Sequence, residues 1–339
     1  MDQRGRPRLF QFWHSLRAAF KRPALWLFCW SVPLTLAIVM ALPWKAWFTT
    51  TLASSYAPGS LFATMSETFR FDHRDDLDAL KTQSGALAAM LGICVILFRT
   101  FCAGGWLQVF LERAKSYSLR RFFWGGARYF WRFARLIVLS LLLLSFAGWV
   151  VYGWPFKVLM NLFFGAEDGS LEVLVSESSA LWVGWLQAGT YALLVALLFA
   201  WGDYTRTRMA LQNTRSALWA GLCTMGLFIS HPVQTLRPFA LLLLLEVLVV
   251  LGVGRFSYGF NGGLDELSGW GSIALLFLLA QVALLFQTVT LGARYHAAVT
   301  VSLRVVPPLA QPDPWASRVG GPGGPQYPID DADDYGVSI

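Results

Sequence analysis

Six long apolar runs are spaced along this chain, covering about 24–44, 85–111, 136–154, 180–201, 238–254 and 272–292. Each has roughly the 17–25 residues that an α-helix needs to cross a hydrocarbon core. Ahead of runs one, three and five lie the segments 9–22, 117–134 and 204–230, where aromatic and apolar residues recur among basic ones. In the first, Leu9, Phe12, Trp13, Leu16 and Phe20 fall at helical spacing, with Arg17 and Lys21 off that face. Such segments predict helices lying along a membrane surface. In the last, Leu211, Leu218, Leu222, Met225 and Ile229 repeat in the same way, and 217–229 is too short to span. The pattern therefore predicts an all-α integral membrane protein. Six transmembrane helices form three hairpins, each preceded by a cytoplasmic amphipathic interfacial helix.

The connecting segments set orientation. On the terminus side of this layout lie 20 of the 27 Lys and Arg residues, and 6 lie on the other side. Positive residues mark the cytoplasmic side, so both termini are expected in the cytoplasm and the protein in an inner (plasma) membrane. Residues 1–23 form a basic arm that leads into an uncleaved first span. Residues 24–304 form the membrane domain. Residues 305–339 hold seven prolines and the acidic cluster Asp330, Asp331, Asp333 and Asp334. That tail lacks the apolar content for a core and is expected to be disordered. Asp203, just before a helical pattern, is expected to cap a helix start, and His231-Pro232 to end one.

Composition agrees with a membrane class. The 339 residues are 56% hydrophobic and 14% charged, against about 25% charged in soluble domains. Many of the 16 Trp and 26 Phe sit at the ends of apolar runs, where interfacial rings belong. The net charge of +7 follows from the basic loops, and no basic recognition fold accompanies it, so nucleic acid is not an expected partner. Cys29, Cys94, Cys102 and Cys223 all lie in apolar runs without ligand or disulfide spacing.

Two charges lie deep in apolar segments: Arg99 and Glu246. An ionised group at mid-span costs about 2.5–3.5 kcal/mol on insertion scales, so each needs a partner, a proton or water. Counted from the predicted cytoplasmic span ends, they lie roughly 18 and 14 Å deep at 1.5 Å per residue. The matching depths predict that they meet inside the bundle, with Gln287 beside them, against the alternatives of a snorkelling Arg99 or a protonated Glu246. Ala88, Gly92, Arg99 and Ala103 share a face whose small residues favour close helix approach. In the most basic loop, Arg120, Arg121, Arg128 and Arg132 interleave with aromatics and are the candidate contacts for anionic lipid headgroups.

Catalytic chemistry finds no foothold. There is no P-loop, G-x-S-x-G or H-E-x-x-H. His14, His73, His231 and His296 are not at ligand spacing, and the Asp72-His73-Arg74-Asp75-Asp76 cluster reads as a solvated acidic loop. No catalytic residue, metal or cofactor is expected.

Two stretches, SALWAGLCTMGLFISHPVQTLRPFALLLLL from Ser216 and FFWGGARYFWRFARLIVLSLLLL from Phe122, together with Asp203-Tyr204-Thr205-Arg206-Thr207-Arg208 and the His-Pro before span five, resemble bacterial six-span membrane proteins. The groups are the glycerophosphodiesterase membrane-domain and YciC-like proteins, and the resemblance covers most of 10–304. It carries over no catalytic residue, because the soluble phosphodiesterase part has no counterpart in this chain. The function expected is a non-catalytic membrane module that binds lipids or a protein partner. The alternative is a small-solute transporter or channel subunit built on Arg99 and Glu246, and an intramembrane enzyme ranks last.

Overall fold

A computed structural model describes residues 9–52, 71–112, 118–164, 177–261 and 270–305. Among them the chain forms α1 (Leu9–Phe20), α2 (Pro23–Leu52), α3 (Arg74–Leu111), α4 (Ser118–Tyr152), α5 (Trp154–Phe164), α6 (Glu177–Gln212), α7 (Ala217–Ser230), α8 (Pro232–Asn261) and α9 (Trp270–Val305). The described residues contain no strand. Among the described residues six stretches are long and apolar enough to cross a membrane: Pro23–Trp47, Arg74–Leu111, Ser118–Leu162, Leu181–Gln212, Pro232–Phe256 and Ala274–Val305.

Several helices run further than the apolar pattern indicates. No proline interrupts 118–152, so the aromatic, basic segment expected to be a separate surface helix is instead the first half of α4. Likewise α6 continues past Trp201 to Gln212, and Asp203 lies inside it rather than at a cap. Residues 154–164, expected as loop, form α5. The breaks that do occur have local causes. Pro23 and Pro232 open α2 and α8, where a missing N–H costs nothing. Asn213 adopts the left-handed conformation (φ 49°) after α6. Ser216 then caps α7, its hydroxyl accepting from the Trp219 N–H at 3.2 Å, and His231 closes that helix. Residues 1–8 of the basic arm and 306–339 of the tail lie outside the described residues.

Packing is concentrated at one end. The largest fully buried side chains include Trp106, Phe122, Tyr129, Phe133, Tyr204 and Tyr295. The core they form collects the starts of α2, α4 and α8 and the ends of α3, α6 and α9, with α1 and α7 added around them. Away from this end the helices scarcely bury one another: only 6–22% of the residues in the most apolar window of each span are buried. α9 is central, touching α1, α2, α3, α6 and α8. At 36 residues it is about 54 Å long, well beyond the roughly 30 Å of hydrocarbon, and the surplus length is where it is enclosed.

α3 and α4 make the closest crossing. A Cβ on Gly125 would lie 2.3 Å from the Gln108 Cβ, and one on Gly104 would lie 2.7 Å from the Gly125 carbonyl oxygen. Backbone meets backbone there, as small residues permit. Beside the crossing, buried Arg121 pairs with Glu112, which also accepts from Gln108. Gly125→Ala should therefore destabilise by about 1–3 kcal/mol through overpacking. Gly252→Ala on α8, where a Cβ meets nothing within 4 Å, should be neutral or slightly stabilising. Unfolding midpoints of the purified protein in detergent check the pair. Equal effects would contradict the close crossing.

Candidate functional site

The polar centre of the molecule is assembled where apolar sequence gives way to polar sequence on α6 and α9. On α6 the apolar stretch up to Trp201 is followed by Asp203 and Arg206; on α9 the stretch to Ala293 is followed by Arg294 and Tyr295. The two boundaries meet. Arg294 reaches Asp203 through Nε (3.5 Å) and Glu246 on α8 through a terminal nitrogen (3.5 Å). Asp203 also accepts from Arg206 at 3.0 Å, and Arg206 donates to the Tyr295 hydroxyl at 3.2 Å. Glu246 accepts from the Thr290 hydroxyl at 3.3 Å. The Arg294 guanidinium lies 5.5 Å from the centre of the Phe239 ring. Next to Asp203 in sequence, the Tyr204 hydroxyl donates to the Thr235 carbonyl on α8 at 2.8 Å.

This chain of charges is enclosed. The Asp203 side chain is 4% exposed and that of Arg294 12%. In such surroundings an ion is tolerated only with its partners in place. The polar inventory is not fully used: the Arg294 and Arg206 Nε groups and one Asp203 oxygen have no hydrogen-bond partner. The contacts to Arg294 are thus ionic rather than well-formed hydrogen bonds.

Next to Arg294 is a cavity of about 40 Å³, walled by α2, α3, α8 and α9. Its polar lining is Arg99, Glu246, Gln287, Thr288 and Arg294, and Cys29 and Cys102 contribute thiols. The three residues singled out from the sequence, Arg99, Glu246 and Gln287, are thereby brought to one place. Their partners differ from the simplest expectation. Among the described residues Glu246 is ion-paired with Arg294, and no carboxylate lies within ion-pair distance of Arg99. The reason is rotational register: Arg294 and Thr290, one turn apart on α9, present both their side chains to Glu246. Arg99 stays exposed at the cavity's edge.

Of the four arginines selected for lipid headgroups, two are taken up internally. Arg121 is buried against Glu112, and Arg132 donates to the Asn213 side-chain oxygen, joining α4 to the end of α6. Arg128 lies over the Trp124 ring at 4.7 Å, and Arg120 is exposed. Continuation of α4 into the packed end turned one face of the basic segment inward. Sequence reasoning also missed Asp203, Arg206, Arg294 and Tyr295 as site residues. The signal available was their position at apolar-to-polar boundaries, which reads equally well as the flank of a span.

On the same end His296 hydrogen-bonds Ser15 of α1 at 3.0 Å, and Arg22 covers the Phe110 ring at 4.6 Å. Among the described residues, no three His, Cys, Asp or Glu side chains converge as a metal site would require. Compared with protein-family models, curated proteins and solved structures, the chain matches none.

The ion contacts lead to a double-mutant test. Arg294→Leu should cost about 3–5 kcal/mol, because Glu246 loses its counter-charge and Asp203 is left with Arg206 alone. Combined with Glu246→Leu it should show a coupling of about 1–3 kcal/mol. The Arg99→Leu and Glu246→Leu pair should couple more weakly. Chemical unfolding in detergent micelles gives all the values, and a stronger Arg99–Glu246 coupling would overturn the assigned partners.

Proposed function

We propose that this protein is a non-catalytic integral membrane module that binds membrane lipid. One observation carries the reading: six apolar helices are packed together at one end and left largely unburied elsewhere, with a polar cavity at the junction. Apolar helix sides that protein does not cover are covered by acyl chains in a bilayer. A polar pocket at the inner limit of those sides suits a headgroup.

In this reading the helices form three hairpins with both termini in the cytoplasm of a bacterial cell, as the 20-to-6 basic asymmetry supports. The packed end is then the cytoplasmic one. α1 and α7 lie in the interface as amphipathic helices. α7 docks through Ala220, Gly221 and Thr224 and turns Leu218, Leu222, Met225 and Ile229 outward, an apolar stripe suited to the headgroup boundary. Arg120 and Arg128 of α4 serve anionic headgroups. The likeness to the six-span bacterial groups is part of the same reading.

A transport reading draws on the same cavity, whose Arg99 and Glu246 sit in mid-span sequence. It is the weaker of the two, because the cavity ends against Arg294. Beyond that residue come Asp203 and Tyr295, both buried in the packed end.

The lipid reading predicts that protein purified in mild detergent carries phospholipid through gel filtration. Added phospholipid should raise its unfolding free energy, by about 2.7 kcal/mol at a hundredfold excess over Kd. Mass spectrometry and thermal scans measure both. A midpoint indifferent to lipid, with solute flux in proteoliposomes, would replace this reading with transport. For orientation, a reporter fused after Lys115 should be cytoplasmic, and a periplasmic signal there would refute the topology.

A further inference from the structure

Charge balance at the cavity indicates what kind of lipid it takes. The linked side chains are Asp203, Glu246, Arg206 and Arg294, two of each sign, so they neutralise one another. Of these, Glu246 and Arg294 line the cavity together with Arg99, which adds a positive charge that no carboxylate among the described residues balances. A guanidinium at this depth is always protonated and draws an anion to itself in a medium of low dielectric. The cavity holds about three water-sized groups, the scale of a phosphorus with its two free oxygens. Arg99 offers paired N–H donors matched to such a group, and the Gln287 amide on the facing helix can add a neutral one.

The surroundings say where that phosphate comes from. Away from the packed end, the Arg99 face of α3 continues through Ile96, Val95 and Gly92, and a Cβ added at Gly92 meets nothing within 4 Å. Along α8 the Glu246 face continues through Val249 and Val250, and Val250 is exposed. An uncovered aliphatic track therefore leads away from the polar pocket. A free phosphate ion has no use for it; the acyl chains of a lipid do. We infer that the cavity between α2, α3, α8 and α9 binds the phosphodiester of an anionic phospholipid, with Arg99 as its counter-charge and the chains lying along α3 and α8. This rests on the lipid-binding reading and deepens it, because it assigns the headgroup class and the residue that selects it.

The test uses the full chain in detergent, delipidated and then titrated separately with phosphatidylglycerol, phosphatidylcholine and inorganic phosphate, with retained ligand counted by native mass spectrometry. The wild type should hold phosphatidylglycerol about tenfold more tightly than phosphatidylcholine. Arg99→Gln should abolish that preference, Arg99→Lys should keep most of it by keeping the charge, and Lys157→Gln on exposed α5 should leave it intact. Gel filtration of each variant reports folding, and Arg99→Met, which removes the charge with a side chain suited to an apolar helix, should abolish the preference in the same way and replaces Arg99→Gln should that variant fail to fold. Equal preference in wild type and Arg99→Gln would overturn the Arg99 site while leaving the lipid module standing. Retention of no phospholipid at all would overturn both. Inorganic phosphate that binds in an Arg99-dependent way and displaces the lipid would make the ligand a free anion and overturn the lipid assignment.

Discussion

Arg294 is the contact on which the arrangement of the helices depends. It belongs to α9, and its two carboxylate partners belong to α6 and α8. Three helices are thereby fixed at one point. A guanidinium so placed has no good alternative, because rotating it away leaves Glu246 without a counter-charge and Asp203 with Arg206 alone. The constraint reaches further through Arg206 and Tyr295, and through Tyr204 to the backbone of α8. The cavity forms on the other side of the same residue, so its shape is set by the ion contacts that enclose it.

The second constraint comes from the solvent. In hydrocarbon, apolar side chains gain little by leaving lipid for one another, and helices associate through close fit and polar contacts. The described helices follow that rule. Where sequence is purely aliphatic, as on α8 at Val247, Leu248 and Leu251, side chains remain exposed. Where glycines allow backbones to touch, or charges can pair, the helices close up. Among the described residues the molecule has a packed end and an apolar end whose sides the protein leaves largely uncovered, and the proposed function follows from that division.

Much of this is legible from the order of residues. Six helices long and apolar enough to cross a membrane follow from six apolar runs, since hydrocarbon thickness sets the required length. Arg99, Glu246 and Gln287 are found because charges and amides stand out in such runs, and the structure sets them around one cavity. Partner choice is not legible. It depends on how α3, α8 and α9 are rotated against each other. The continuity of α4 and α6 is hidden for a related reason. Basic and aromatic residues at a span end read as a surface segment, and only tertiary contacts such as Arg121 with Glu112 and Arg132 with Asn213 show that they turn inward. Asp203 reads as a cap because it precedes a helical pattern; its α9 partner, Arg294, is 91 positions away in sequence.

The most direct measurement of the central claim is the distance between α6 and α8 with and without Arg294. Spin labels at the exposed positions Phe199 and Leu244 report it by electron–electron resonance in lipid nanodiscs, with Cys94 and Cys223 replaced by Ala. A second pair at Ile96 and Val138 reports α3 against α4, which Arg294 does not join. The account predicts a narrow α6–α8 distribution that broadens in Arg294→Leu, while the α3–α4 distribution stays as it was. An α6–α8 distribution unchanged by Arg294→Leu would contradict it.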